Sequence, residues 1–226
     1  MALNKLKFSS INVTPVAGQA IKFNSSANGF ETGSAGGAIT VIKKLTASSS
    51  STLSFVDGSS SVVLDNTYKE YIFVFNNMHP ATDGANFTFQ SSTDSGSNYN
   101  TTITTTYFTA FHAENGSDQS LTYESGRDLS QSTSFKTLIN EVGNDNDQCC
   151  SGFLHLFNPS STTFAKHFIC DVNSYFNANY NMRALTSGYF NTTSAIDALQ
   201  FKMSSGNIDS GTITLYGINQ GGTCPI

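Results

Sequence analysis

Short β-patterned runs alternate with turn-forming clusters along most of this 226-residue chain, and no amphipathic helix longer than two turns breaks the alternation. Ile39 and Val41 open one run, and Leu53, Phe55 and Val56 form another that Asp57-Gly58-Ser59 closes. Phe87 and Phe89 alternate with Thr88 and Gln90, the signature of a half-buried strand, and stop at the turn residues 93–97. Tyr99 to Phe111 is long and Thr-rich, which suits a pleated surface. Tyr71-Ile72-Phe73-Val74-Phe75 is apolar at every position and reads as a central strand covered on both faces. Residues 113–150 are the least regular and predict long loops with a short strand or helix around Phe135, Leu138 and Ile139. The pattern resumes at Phe153–Phe157 and runs through residues 164–172, 180–190, 199–203 and 212–218. Proline occurs four times, never inside a predicted strand, as its missing N–H requires.

Nine or ten strands at this spacing predict an all-β fold, an antiparallel β-sandwich of jelly-roll-like type with at least eight strands in two packed sheets. Phe is the expected core filler, with Phe73, Phe75, Phe89, Phe157 and Leu215 placed inside. Residues 38–226 form the sandwich domain. Residues 1–37 read as a separate extended N-terminal arm. There Ala20–Phe23 and Phe30 flank a turn-like stretch and predict a small hairpin, and residues 33–37 have a linker composition. Leu3, Leu6, Phe8, Ile11, Val13, Ile21, Phe23 and Phe30 are too few and too scattered to make a core of their own. They are therefore expected to act as an assembly arm that docks on another subunit.

Charged residues are only 12% of the chain, against ~25% in ordinary proteins, while Ser, Thr and Asn together account for 80 of 226. This is the composition of an uncharged, exposed β-protein. A net charge of −5 and a pI near 5.2 exclude the basic footprint of a nucleic-acid binder. The longest apolar run is five residues, far from the ~20 of a membrane helix, and no apolar stretch follows Lys5 and Lys7 as in a leader. The expectation is no membrane insertion. Cys149, Cys150, Cys170 and Cys224 include no C-x-x-C pair. Reduced thiols are expected, and the sequence leaves any pairing open.

No G-x-S-x-G, H-E-x-x-H or P-loop motif is present, so no catalytic residue, cofactor or metal ligand is assigned and the chain is not expected to be an enzyme. The acids Asp57, Asp83, Asp94, Glu114, Asp118 and Asp128 fall in predicted turns, where turn chemistry accounts for them. Asn144-Asp145-Asn146-Asp147 clusters oxygen donors but lacks the glycine and distal glutamate of an EF-hand loop. His155 and His167 face each other if their hairpin is centred on Ser161. Tyr175, Phe176, Asn177, Asn179, Tyr180 and Asn181 gather around one predicted hairpin and offer the aromatic faces and amides that glycan contact requires.

Several segments carry a resemblance. Tyr68 to Phe75, Met78-His79-Pro80-Ala81-Thr82-Asp83, Phe87-Thr88-Phe89-Gln90 and Asp94-Ser95-Gly96-Ser97 follow one another in a recognisable order. Leu156-Phe157-Asn158-Pro159-Ser160 and the run from Met203 to Ile218 have the same style. Together, over residues 38–218, they resemble a jelly-roll-type module of tailed-bacteriophage virion structural proteins, close in style to those of marine and cyanobacterial phages. The second glycine of the usual D-G-G turn is replaced here at Ser95-Gly96. The resemblance implies a virion protein made in the host cytoplasm and released extracellularly. It would be displayed on the particle exterior as a tail fibre or adhesin component or as head decoration, acting by assembly and host attachment. Implied partners are further copies of the chain, in threes by analogy with fibres, other virion proteins, and a host surface glycan. The alternative is a carbohydrate-binding module.

Overall fold

The computed structural model describes residues 38–219 continuously and, before them, residues 13, 14, 16, 20–24, 26 and 28–33. Leu3, Leu6, Phe8, Ile11 and Cys224 lie outside the described residues. The chain divides into two units, Met1–Ala38 and Ile39–Ile226.

In the first unit, β1 (Ala20–Phe23) and β2 (Phe30–Gly33) form an antiparallel hairpin in which Phe23 pairs with Phe30. Their rings stack at 4.9 Å, and Lys22 lies 3.2 Å from Glu31. Asn24 closes the turn, its carboxamide oxygen accepting from the Asn28 N–H at 3.2 Å. Ile21, Phe23 and Phe30 are nonetheless exposed.

The second unit contains β3 (Ile39–Thr46), β4 (Leu53–Val56), β5 (Glu70–Pro80), β6 (Ala85–Ser92), β7 (Ile103–Ala113) and β8 (Gln119–Tyr123). These are followed by β9 (Lys136–Val142), β10 (Cys150–Phe157), β11 (Lys166–Phe176), β12 (Tyr180–Phe190), β13 (Ala198–Met203) and β14 (Ile208–Ile218). A 3-10 turn at Ser125–Arg127 is the one helical element among the described residues. Every strand pair is antiparallel. Hydrogen bonding runs β3-β14-β5-β10-β11-β12-β7-β8 through a larger sheet and β9-β6-β13-β4 through a smaller one. A single residue pair, Phe176 with Val142, joins the two. The fold is thus all-β, a jelly-roll-like antiparallel sandwich.

Alternation explains which side chains fill it. On β11, Phe168, Cys170 and Val172 point inward, and on β12 Met182, Ala184 and Phe190 do the same. Phenylalanines from opposite sheets meet edge to face. Phe55 lies 5.2 Å from Phe73, Phe75 5.1 Å from Phe87, and Phe89 5.0 Å from Phe168. Such pairs contribute about 0.5–1.5 kcal/mol each beyond the area they bury. Phe201 sits among them, 5.5 Å from Phe73 and 5.3 Å from Phe75. Two glycines permit close backbone approach at the irregular pairings of β5. A Cβ on Gly152 would lie 2.2 Å from the Asp171 carbonyl, and one on Gly211, at φ +117°, would lie 2.5 Å from that of Asn77.

Three expectations are corrected. Phe157 is not core: it lies on the outer face, stacked on His155 at 4.1 Å. The segment 71–75 is central, between β14 and β10, but covered on one face only, with Tyr71, Phe73 and Phe75 buried and Ile72 and Val74 half-buried outside. Residues 113–150 hold two strands, β8 and β9, instead of mainly long loops.

Candidate functional site

The β11–β12 hairpin ends in a three-residue loop, 177–179, after the pair Phe176 with Tyr180. Asn179 takes the left-handed conformation, φ +64°, that Asn tolerates better than most residues, and its N–H donates to the Phe176 carbonyl at 3.0 Å. This turn sets Tyr180 at the centre of three shallow depressions. The first, about 380 Å³, is lined by His112, Glu114, Asn173, Tyr175, Tyr180 and Asn181. The second, about 250 Å³, includes Phe111, Phe176 and Asp118, and the third, about 210 Å³, includes Glu114, Asn115 and Asn179.

The Tyr180 ring is held edge-on by Phe111 at 5.6 Å and Phe176 at 5.8 Å, so one face of an aromatic platform is fixed before any ligand arrives. Tyr175 stands opposite Asn181 in the β11–β12 ladder, and Asn181 opposite His112 in the β12–β7 ladder, which puts all three on one face. The Tyr175 hydroxyl donates to Asn179 at 3.5 Å, and the neighbouring Glu114 carboxylate raises the phenol above its usual range; Asp147 and Asp145 push the same way. The setting is acidic, aromatic and rich in amides. Stacking on a sugar ring and hydrogen bonding to its hydroxyls are what such a surface can do, and the surrounding carboxylates disfavour anionic ligands.

Of the six residues singled out in sequence, Tyr175, Phe176, Asn179, Tyr180 and Asn181 line these depressions. Asn177 does not: its amide nitrogen crosses above Gly84, 2.9 Å from where a Cβ would stand. Asn173, His112 and Glu114 were missed: Asn173 stands two residues before Tyr175 on the same face of β11, and His112 and Glu114 arrive only because β7 lies beside β12, a pairing that residues so far apart in sequence do not announce.

The other candidates have structural occupations. Asp57 accepts from the Leu64 N–H at 2.8 Å, and Asp83 from the Asn144 N–H at 3.3 Å. Hydrogen bonds from Asn98 and Ser92 hold Asp94 down at about 2. Asp128 accepts from the Tyr123 hydroxyl. In the acidic loop, the Asp145 N–H donates to Gln148. Among the described residues no three or more His, Cys, Asp or Glu side chains group as a metal would need. The hairpin between β10 and β11 is centred one residue beyond Ser161, so His155 faces Ile169 instead of His167 and lies 3.0 Å from Glu70. Cys149, Cys150 and Cys170 are free thiols, and burial pushes each above the usual range.

Two lysines are buried: Lys166, whose ammonium donates to the Thr192 carbonyl at 3.1 Å, and Lys136. Lys136 is fully buried, its ammonium donating to the Arg127 carbonyl at 2.7 Å and resting 4.2 Å over the Tyr107 ring. The Tyr107 hydroxyl donates to Asn140 at 2.7 Å. Burial lowers the Lys136 pKa to about 8. Compared with family models, with curated protein sequences and with solved structures, the chain matches none.

Proposed function

We propose that this chain is a structural protein of a tailed-phage virion, displayed on the particle exterior and working by assembly, with the hairpin-end depressions as its contact to a host surface glycan. The observation that carries the assembly role is the β1–β2 hairpin, whose stacked Phe23 and Phe30 are 66% and 47% exposed. A two-stranded hairpin is marginal in water by itself. An apolar surface of this kind gains order by docking on a neighbour, either a further copy of the chain or another virion protein. Three-fold association remains the arrangement that the phage resemblance implies. The glycan contact is supported by the fixed Tyr180 ring and by Asn115 and Asn179, which line a depression with it.

Antibody labelling of intact phage particles tests the reading, with label expected on the exterior. Changing Phe23 and Phe30 together to Ser is expected to leave the sandwich folded and to prevent incorporation. Particles that carry the doubly changed chain at full occupancy would remove the arm's role. The second reading, a free-standing carbohydrate-binding module, is favoured by the same depressions. It predicts glycan binding that Tyr180→Ala abolishes, in a chain that purified particles do not contain.

A further inference from the structure

We infer that the outer face of the larger sheet is a self-association surface that takes a second copy of this chain, sheet face against sheet face. The inference rests on the assembly reading and adds to it a contact separate from the N-terminal arm. Alternation that buries one set of side chains on β5, β10, β11 and β12 turns another apolar set outward. Ile72, Val74, Phe153, Phe157, Ile169 and Tyr189 share that face. The ladder brings them together: Val74 pairs with Phe153, and Ile72 pairs with His155, which pairs with Ile169. Phe153 is 40% exposed and Ile169 49%, in the middle of a sheet and not at its edge.

The face has relief. Phe153, Phe157 and Ile169 form a ridge along β10 and β11. On one side lies a trough of about 420 Å³ that includes Thr104, Thr106 and Ser187, and on the other a trough of about 370 Å³ that includes Ser151 and Gly152. A ridge flanked by troughs is self-complementary, because a two-fold rotation can lay each ridge in the other copy's trough, the geometry of an isologous contact.

The charges suit burial against an uncharged surface. Asp171 accepts from Arg183 across the β11–β12 ladder at 2.8 Å, and His155 lies 3.0 Å from Glu70, so both pairs are compensated within the chain. The size is also sufficient. Six strands at ~4.8 Å spacing and three outward rows at ~6.8 Å give about 500–600 Å² in plan. With side-chain relief this approaches the ~800 Å² per partner of a standard stable interface. Aligned sheets pack face to face at ~10 Å, which such side chains fill. A nucleic acid would require unpaired cations, and Arg183 on this face is already held by Asp171; a glycan would not call for so wide an apolar ridge.

The test is the solution mass of the full chain by light scattering over a range of concentrations. Whatever assembly the arm supports, the outer-face contact doubles the mass, and Ile169→Glu halves it while leaving circular dichroism and Tm unchanged. Ser59→Glu, at an exposed site in the turn after β4, is expected to keep the parental mass. The chain with Phe23 and Phe30 changed to Ser still pairs if the inference holds. A parent whose mass never exceeds that of one chain overturns it, as does an Ile169→Glu chain that matches its parent. If the arm variant alone loses mass, the proposed function stands and the face-to-face pair falls. If the chain is absent from particles yet forms pairs that Ile169→Glu dissociates, the pair stands and the virion reading falls.

Discussion

The two faces of β5 differ by one residue in the alternation and by nearly everything in environment. Tyr71, Phe73 and Phe75 are at most 1% exposed, and the two phenylalanines lock against rings from the opposite sheet, while Ile72 and Val74 between them remain half open to solvent. The same contrast runs through β10, where Leu154 and Leu156 are buried and Phe153 and Phe157 are not. Apolar character alone therefore does not say which face is core. The inner face is specified by ring-to-ring packing across about 5 Å. The outer face carries apolar side chains, Phe153 and Ile169 among them, that stay exposed among the described residues, as the proposed self-association requires.

The sharpest way to break this comparison is at its centre. Phe73→Ala removes a ring packed on Phe55 and Phe201 and is expected to cost about 3–5 kcal/mol. Chemical denaturation that shows no loss would mean the inner face is not the core. Lys136→Met tests one of the two lysines that the interior holds. The folded pKa near 8 lies below the ~10.4 of an unfolded lysine, so between these values the unfolded chain binds the extra proton and the parent gains stability as pH rises. The stability of Lys136→Met relative to the parent should thus fall by up to about 3 kcal/mol between pH 7 and pH 11. The buried cysteines titrate in the same window but are present in both proteins and cancel. A difference independent of pH would contradict the buried ammonium. Ile72→Ala, half-buried on the outer face, is expected to cost the single chain about 1 kcal/mol. Phe153→Ser should shift it by no more than about 0.5 kcal/mol. Equal losses at Phe73 and Phe153 would erase the distinction between the faces.

Much of this architecture was legible in the pattern of residues. The strands beginning at Leu53 and Cys150 show their inward positions by period-two alternation, and the Asn24–Gly29 turn announced the first hairpin. β6 reads as half-buried but is covered on both faces: Thr88 and Gln90 are buried too, each hydrogen-bonded to a backbone carbonyl, of Lys202 and of Thr133. What was not legible depends on non-local facts. Phe157 reads as core because Phe usually is, and only the ladder with β11 shows that its parity matches outward-facing His155. β9 was hidden because Lys136 and Asn140 occupy interior positions where an apolar residue is expected, each satisfied by a partner from elsewhere in the chain, Arg127 and Tyr107. The candidate glycan site was half legible. Tyr175, Asn179 and Tyr180 belong to one hairpin, whereas His112 and Glu114 reach it only through the β7–β12 pairing.

The contrast between the two faces is tested most directly by hydroxyl-radical footprinting of the intact chain at concentrations below and above those at which its mass rises. Reactivity at Phe153, Phe157 and Tyr189 is expected to fall together as concentration increases. Exposed Phe164, in the loop between β10 and β11, should keep its reactivity, and buried Phe73 and Phe201 should stay unreactive throughout. Reactivity at Phe153, Phe157 and Tyr189 that remains the same at every concentration would contradict the account.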